Sequence, residues 1–233
     1  MKIKKLSIIV PAYNEAATIA KTLRRVLKIK IKGIKTEIVI VDDGSKDKTL
    51  AAIKNIKNKR ISLISKRKNE GKGAAIKSAL KKVTGDVITI QDADLEYNPD
   101  EIKKMIAPIV NGDADVVYGS RFIGSEPHRV LLFWHMIGNK ILTLFCNMVT
   151  NLNLTDMETC YKMFTKDVAK KLIIKEDRFG FEPEFTIKIA KLKARVYEIG
   201  IGYSGRSYAE GKKINWKDGL QAVWCIIKYG ILK

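Results

Sequence analysis

The chain has little cysteine: three residues, Cys146, Cys160 and Cys225, odd in number, far apart, and with no Cys-x-x-Cys pair. That argues against a zinc ribbon or a disulfide framework and makes a reducing compartment the expected setting. Proline is scarce as well, with 5 residues against a hydrophobic share of 46%, so a packed globule is expected rather than disorder. Long apolar runs are missing: no stretch reaches the roughly 18 residues that a spanning helix needs. The nearest candidates are VLLFWHMIGNKILTLFCNMV (130–149), interrupted by His135, Asn139 and Lys140, and GLQAVWCIIKYGIL (219–232), interrupted by Lys228. Both read as amphipathic or core helices. The opening MKIKKLSIIVPAYNE has a short apolar stretch closed by Pro11 and Glu15, with no small-residue cleavage site, so it reads as a strand rather than a leader. Histidine occurs only at His128 and His135; the latter lies among Phe133, Trp134 and Met136 and reads as a packed or interfacial side chain, not a catalyst.

Basic residues are abundant. Lys and Arg number 44 against 25 Asp and Glu, a formal charge of +19. An excess of this size suits a phosphate-bearing ligand, a nucleic acid or an anionic membrane face, or simply a lysine-rich solvated surface. No recognised nucleic-acid motif is present, and acids at the strand tips would repel a phosphate backbone, so nucleic acid is not an expected partner.

Strand-like and helix-like segments alternate from the N-terminus. LSIIV (6–10), EIVIV (37–41), ISLIS (61–65), DVITI (86–90) and ADVVYG (114–119) read as strands. Helical spacing follows the first three, at Ile19, Leu23, Val26 and Leu27, at Leu50, Ile53 and Ile56, and at Ile76, Leu80 and Val83. After the fourth, Asn98 caps a helix with Pro99 at its first position and two acids in its first turn. Continuous apolar strands alternating with helices predict an α/β fold, a mostly parallel sheet flanked by helices. Past residue 120 the rhythm breaks into long apolar helices, a mixed segment (152–200) and the basic stretch GRSYAEGKK (205–213). A boundary near residue 125 is expected between a sheet-built portion (1–125) and a helix-rich portion (126–233) of one body.

Ligands of open α/β sheets bind outside the carboxyl ends of the strands. Those ends here are PAYNE (11–15), DDGSKD (42–47) and DADLE (92–96). Neither G-x-G-x-x-G nor a phosphate-loop spacing occurs, which excludes an ordinary dehydrogenase or P-loop enzyme. In VDDGS, Gly44 permits a sharp turn and Ser45 caps the next helix, while Asp42 is left over for a base edge or a ribose. In an extended backbone Asp92, Asp94 and Glu96 share one face, and like charges gathered so need a reason: a bound cation is a common one, favoured here over a solvated acidic turn. Carboxylates without histidine or thiol beside them suit Mg²⁺ or Mn²⁺.

Together, IIVPAYNEAATI, EIVIVDDGSKDKT, NEGKGAAIKSAL, GDVITIQDADLEYNPDEI and DVVYGSRF resemble, in order and spacing, a family 2 glycosyltransferase of the Rossmann-like GT-A fold. TDMETCYKMF (155–164), FGFEPEF (179–185) and GRSYAEGKK extend the resemblance to the polyprenyl-phosphate branch, with its dolichol-phosphate mannose synthases and glucosyl transferases. The resemblance implies a nucleoside held by Pro11, Tyr13, Glu15 and Asp42. Asp92 and Ala93 would complete the donor pocket, and Asp92, Asp94 and Glu96 would surround the metal and diphosphate. Mannose synthases often carry Gln at the position of Glu96; an acid there remains compatible with a metal ligand. Arg121, Arg129, Arg206 and Lys212 would surround the acceptor phosphate. Asp94 and Arg121 would carry the catalysis. Many members add C-terminal transmembrane helices, which do not occur here, so peripheral attachment at the cytoplasmic face of a membrane is expected.

The implied reaction is an inverting transfer of a hexose, mannose from GDP-mannose first, to a dolichyl or undecaprenyl phosphate. A phosphate monoester, with a second pKa of about 6, needs positioning more than deprotonation, and guanidinium forks supply that. UDP-glucose as donor or a polysaccharide acceptor are the alternatives; the second would need a base, with Glu182 or Glu184 the candidates. Those two glutamates equally suit the start of a helix, with Pro183 near its first turn. The apolar side chains of 130–149, with Trp216 and Trp224, suit a core, a homodimer surface or a membrane interface, and a polyprenyl acceptor favours the last.

Overall fold

Seven strands build one sheet in the computed structural model, which describes residues 2–124, 127, 129–130, 132–206 and 216–232. The five expected strands form as β1 (Lys5–Ala12), β2 (Lys35–Asp42), β3 (Ile61–Ser65), β4 (Val87–Ile90) and β5 (Val116–Ser120). Two more, β6 (Lys162–Thr165) and β7 (Val196–Gly200), come from the portion expected to be helix-rich. Their order is β3-β2-β1-β4-β6-β5-β7, and only β6 runs against its neighbours. Parallel strands buried on both faces need apolar side chains on both, which is why β4 and β5 are buried at every residue.

One face of the sheet packs on α1 (Ile19–Lys28), α2 (Thr49–Lys54) and the segment after Asn98; Ile8, Val10, Leu23, Ile53 and Ile102 lie in that layer. The other face packs on α3 (Lys72–Leu80) and, further along the chain, on α6 (Phe133–Thr150), α7 (Lys166–Lys171), α8 (Phe181–Lys191) and α9 (Trp216–Gly230). The helix expected from Asn98 is broken. Its cap forms, with Asn98 Oδ1 accepting from Asp100 N at 3.2 Å, but the segment divides into a 3-10 turn (Pro99–Glu101), α4 (Ile102–Met105) and α5 (Ala107–Asn111). Pro108 has no N–H to continue the ladder, and its ring crowds the turn before it.

Lys162 hid β6 from the sequence reading. Its side chain is fully buried, with Nζ donating to Met157 O at 2.9 Å and to Thr159 O and lying 4.8 Å from the Tyr118 ring. The long apolar segments behave as amphipathic helices: α6 buries Thr143 and Cys146 fully and leaves Trp134, Leu144 and Met148 exposed. Among the described residues no helix is long and apolar enough to cross a membrane. All three cysteines are free.

Candidate active site

A cleft of about 410 Å³ opens at the carboxyl ends of β1, β2 and β4. Pro11, Tyr13 and Glu15 line it from the loop after β1, and Asp43 from the turn after β2. Asp92, Ala93, Asp94 and Glu96 line it from the loop after β4, facing Arg121 after β5 and Tyr203 and Arg206 after β7.

Its first two loops are stapled together. Asn14, at φ 52°, donates its backbone N–H to Ser45 Oγ (3.0 Å) and accepts from Lys46 N at its Oδ1 (2.8 Å). Glu15 N donates to Thr49 Oγ1 at 2.8 Å. Ser45 therefore joins two loops instead of capping α2; Asp47 Oδ1 takes the Thr49 amide at 2.9 Å. Gly44 makes the turn at φ 72°, where a Cβ would meet the Lys68 carbonyl carbon at 2.4 Å. The two aspartates divide differently from expectation. Asp42 is buried, turns toward Ser45 N (3.4 Å) and is not among the residues lining the cleft. Asp43 lines it, and its Oδ2 accepts from Gly71 N (2.7 Å) and Glu70 N (3.1 Å).

The acids of DADLE line one cleft, but not by strand alternation. β4 ends at Ile90, Leu95 takes a left-handed φ of 66°, and Asp94 Oδ1 accepts from Glu96 N at 3.1 Å. A turn, not a pleat, sets their positions. Asp92 is held by Lys72 Nζ at 3.2 Å, which also reaches Glu182 (3.1 Å) and Cys160 Sγ (2.7 Å). Burial works against the charge on Lys72, but Asp92, Cys160 and Glu182 outweigh it and hold its pKa well above the lysine range. Asp94 is pushed up to about 7, by burial first and then by repulsion from Asp92 and Glu96, with Arg206 offsetting part of it.

The cations are arranged less simply than the sequence implied. Arg121 closes its fork on buried Asp156, Nε to Oδ2 and Nη2 to Oδ1 both at 2.7 Å, and its guanidinium lies 5.2 Å from the Tyr203 ring. It is a fixed positive charge in the cleft wall, with two of its nitrogens already engaged. Arg206 reaches the acids themselves: Nη2 to Asp94 Oδ2 at 3.2 Å, Nε to Glu96 Oε1 at 3.1 Å and Nη2 to Glu15 Oε1 at 3.3 Å. Arg129 is exposed and holds the same segment, donating N to Tyr203 O (2.7 Å) and Nη1 to Gly205 O (3.1 Å). Lys212 and His128 lie outside the described residues. Glu184 is a loop anchor: its carboxylate accepts from Lys175 N and Glu176 N at 2.8 Å each. Glu182 faces Lys72 instead. Sequence reasoning missed Lys72, Asp43, Glu158 and Cys160 in the cleft; NEGKG and TDMETCYKMF contain three of them, but nothing in those strings says which side chains turn inward.

The pattern of glycosyl transferase family 2 matches residues 7–173. The chain belongs to that family. This family 2 glycosyltransferase is 28% identical over 215 residues to dolichol-phosphate mannosyltransferase of Pyrococcus furiosus, covering 90% of this chain and 60% of that protein. It is 28% identical over 232 residues to the UDP-N-acetylglucosamine--dolichyl-phosphate N-acetylglucosaminyltransferase of Methanococcus voltae, covering 91% of each. Among solved structures, glucosyl-3-phosphoglycerate synthase of Mycobacterium tuberculosis, in complex with Mn²⁺, UDP and glucosyl-3-phosphoglycerate, superposes with a TM-score of 0.76 at 17% identity, over 97% of this chain and 80% of that one. That likeness shows the fold.

The acid set suits a divalent cation by its chemistry: oxygen donors only, lining one cleft. Its arrangement is another matter. Among the described residues no three His, Cys, Asp or Glu side chains are gathered closely enough to hold a metal ion. Arg206 stands between them.

Proposed function

We propose that this glycosyltransferase moves a hexose from a nucleoside diphosphate sugar to a polyprenyl phosphate, dolichyl or undecaprenyl, with inversion. The observation that carries the reading is one cleft lined both by the acids Asp92, Asp94 and Glu96 and by the cations Lys72, Arg121 and Arg206. A donor diphosphate and an acceptor phosphate are both anions, and such a cleft offers carboxylates for a cation beside the first and guanidinium groups for the second.

Pro11, Tyr13 and Glu15, with Asp43 and Ala93, form the nucleoside end. Asp94 and Glu96, with Asp92 beside them, would hold Mg²⁺ or Mn²⁺, which when bound supplies positive charge for the leaving diphosphate. Lys72 fixes Asp92 and adds a permanent charge to the same corner. The acceptor phosphate is already largely a dianion at neutral pH, so its oxygen attacks the anomeric carbon without a general base. Arg121, rigid against Asp156, contributes field; Arg206, Arg129 and Lys212 contribute grip. Mannose from GDP-mannose is the first donor to try, and the likeness to the Methanococcus voltae transferase puts UDP-sugars beside it.

The acceptor's chain lies in a membrane, and α6 and α9 supply a face for it. Trp134, Ile141, Leu144, Phe145 and Met148 recur along one side of α6, and Leu220, Trp224 and Ile227 along one side of α9, with Ile231 just past its end, all exposed. α6 has no acidic residue and carries exposed Lys140. An apolar stripe with an exposed lysine and no acid suits an anionic lipid surface.

The test is a panel of nucleotide sugars offered with polyprenyl phosphate and Mg²⁺ or Mn²⁺, with the glycolipid identified by mass. Asp94→Asn is expected to fold normally, by circular dichroism, and to lose about a hundredfold or more in turnover. No glycolipid from any donor, or full turnover in that variant or in chelator, would refute the reading.

A further inference from the structure

Arg206 makes more contacts with the expected cation ligands than an acceptor-binding residue needs. Its backbone N–H donates to Glu96 Oε1 at 3.0 Å, and its Nε donates to the same oxygen at 3.1 Å. Nη2 reaches Asp94 Oδ2 at 3.2 Å and Glu15 Oε1 at 3.3 Å, and Nη1 reaches Glu15 Oε2 at 3.4 Å. The preceding residues complete the grip. Tyr203 OH donates to Glu96 Oε2 at 2.6 Å, and Ser204 N donates to Glu96 O at 2.9 Å. Glu96 thus has both carboxylate oxygens engaged by the segment 203–206. Acids from two loops, after β1 and after β4, converge on one guanidinium.

We propose that Arg206 is a built-in cation that occupies the divalent metal's place when no donor is bound, so that metal and donor enter together by displacing it. The inference rests on the reading that Asp94 and Glu96 hold the metal. A divalent ion held by Asp94 Oδ2 and Glu96 Oε1 would need the space and the negative charge that the guanidinium already takes: Nη2 lies 3.2 Å from the first oxygen, and the second accepts from both Nε at 3.1 Å and the backbone N–H at 3.0 Å, which engages both of its lone pairs. Metal alone therefore competes with a tethered cation that is always charged and already local. A metal–diphosphate brings both the replacement charge for the acids and phosphoryl oxygens that can accept the displaced guanidinium. Empty, the site is neutralised and closed to loose cations; loaded, it has released an arginine to the phosphate side of the cleft. Lys72 does the same for Asp92 without being displaceable, since it is anchored at once by Asp92, Glu182 and Cys160.

Mn²⁺ binding to the donor-free protein, read from the electron paramagnetic resonance signal of free Mn²⁺, tests this without turnover. Arg206→Gln is expected to bind Mn²⁺ alone about tenfold or more tightly than the parent, with Arg206→Lys between the two. Adding a nucleoside diphosphate should tighten the parent's Mn²⁺ binding more than that of Arg206→Gln. Melting curves of each variant establish that it is folded. Equal or weaker Mn²⁺ binding in a folded Arg206→Gln, while Asp94→Asn abolishes binding in both backgrounds, overturns the displacement and leaves the metal reading intact. Absence of Mn²⁺ binding in every variant, with nucleotide present, overturns both.

Discussion

Asp156 is fully buried and the Arg121 side chain largely so, and the pair cannot lose one member cheaply. Burial opposes ionisation of Asp156, but the adjoining guanidinium holds its carboxyl below the usual range. Asp156→Asn would strand a buried guanidinium, and a loss of about 3–5 kcal/mol is expected in urea unfolding. Glu158 is the opposite case. Burial, then the charge of Glu182, pushes its carboxyl up to about 8, whereas in the unfolded chain a glutamate titrates near 4.3. Between those values the folded protein keeps a proton that the unfolded chain has released, so stability falls as pH rises, by up to about 1.4 kcal/mol per pH unit. Glu158→Gln has no proton to lose, and its urea midpoint should decline less between pH 5 and pH 8 than the parent's. The sequence announced the acids of DADLE and the arginines as classes of residue. It could not announce who pairs with whom: Arg121 and Asp156 lie 35 positions apart, and Arg206 meets Asp94 across 112.

Short turns and helix ends set the cleft's shape more than the strands do. Gly44→Ala places a Cβ against the Lys68 backbone at a φ that alanine avoids, and a cost of about 2 kcal/mol or more is expected from thermal melts. Strands β1, β2, β4 and β5 were legible because strands buried on both faces leave a mostly apolar record, and edge strand β3 because ISLIS interleaves apolar residues with serine. The other two were not: β6 opens on Lys162, buried where a lysine normally marks the surface, and β7 interleaves Tyr197 and Glu198 among its apolar residues. The loop after β4 was read as an extension of the strand, which Leu95 contradicts with its left-handed backbone. A pattern of alternating residue types has the same letters whether the chain is pleated or turned. The bond from Asn14 to Ser45 and the turn of Asp42 toward Ser45 N escaped for a related reason, since they depend on how two loops meet.

At the scale of the whole molecule, the lipid-facing role proposed for α6 and α9 rests on the large apolar side chains they leave exposed. Trp134 and Trp224 are 78% and 55% exposed, so replacing both with Asp should leave the melting temperature unchanged and cut co-sedimentation with vesicles of anionic lipid about tenfold. Unchanged sedimentation would remove the lipid-facing role of α6 and α9. The sheet itself imposes a schedule on the growing chain. β5 is hydrogen-bonded to β6 and β7 alone, and β4 has only β1 until β6 arrives. A ribosome that has delivered Val116–Ser120 has therefore made a strand with nowhere to dock. The exposed flank of β4 must wait through synthesis of all of α6 for Lys162–Thr165. Assembly of this enzyme is a long-range event, slow by its topology and open meanwhile to pairing with another unfinished copy.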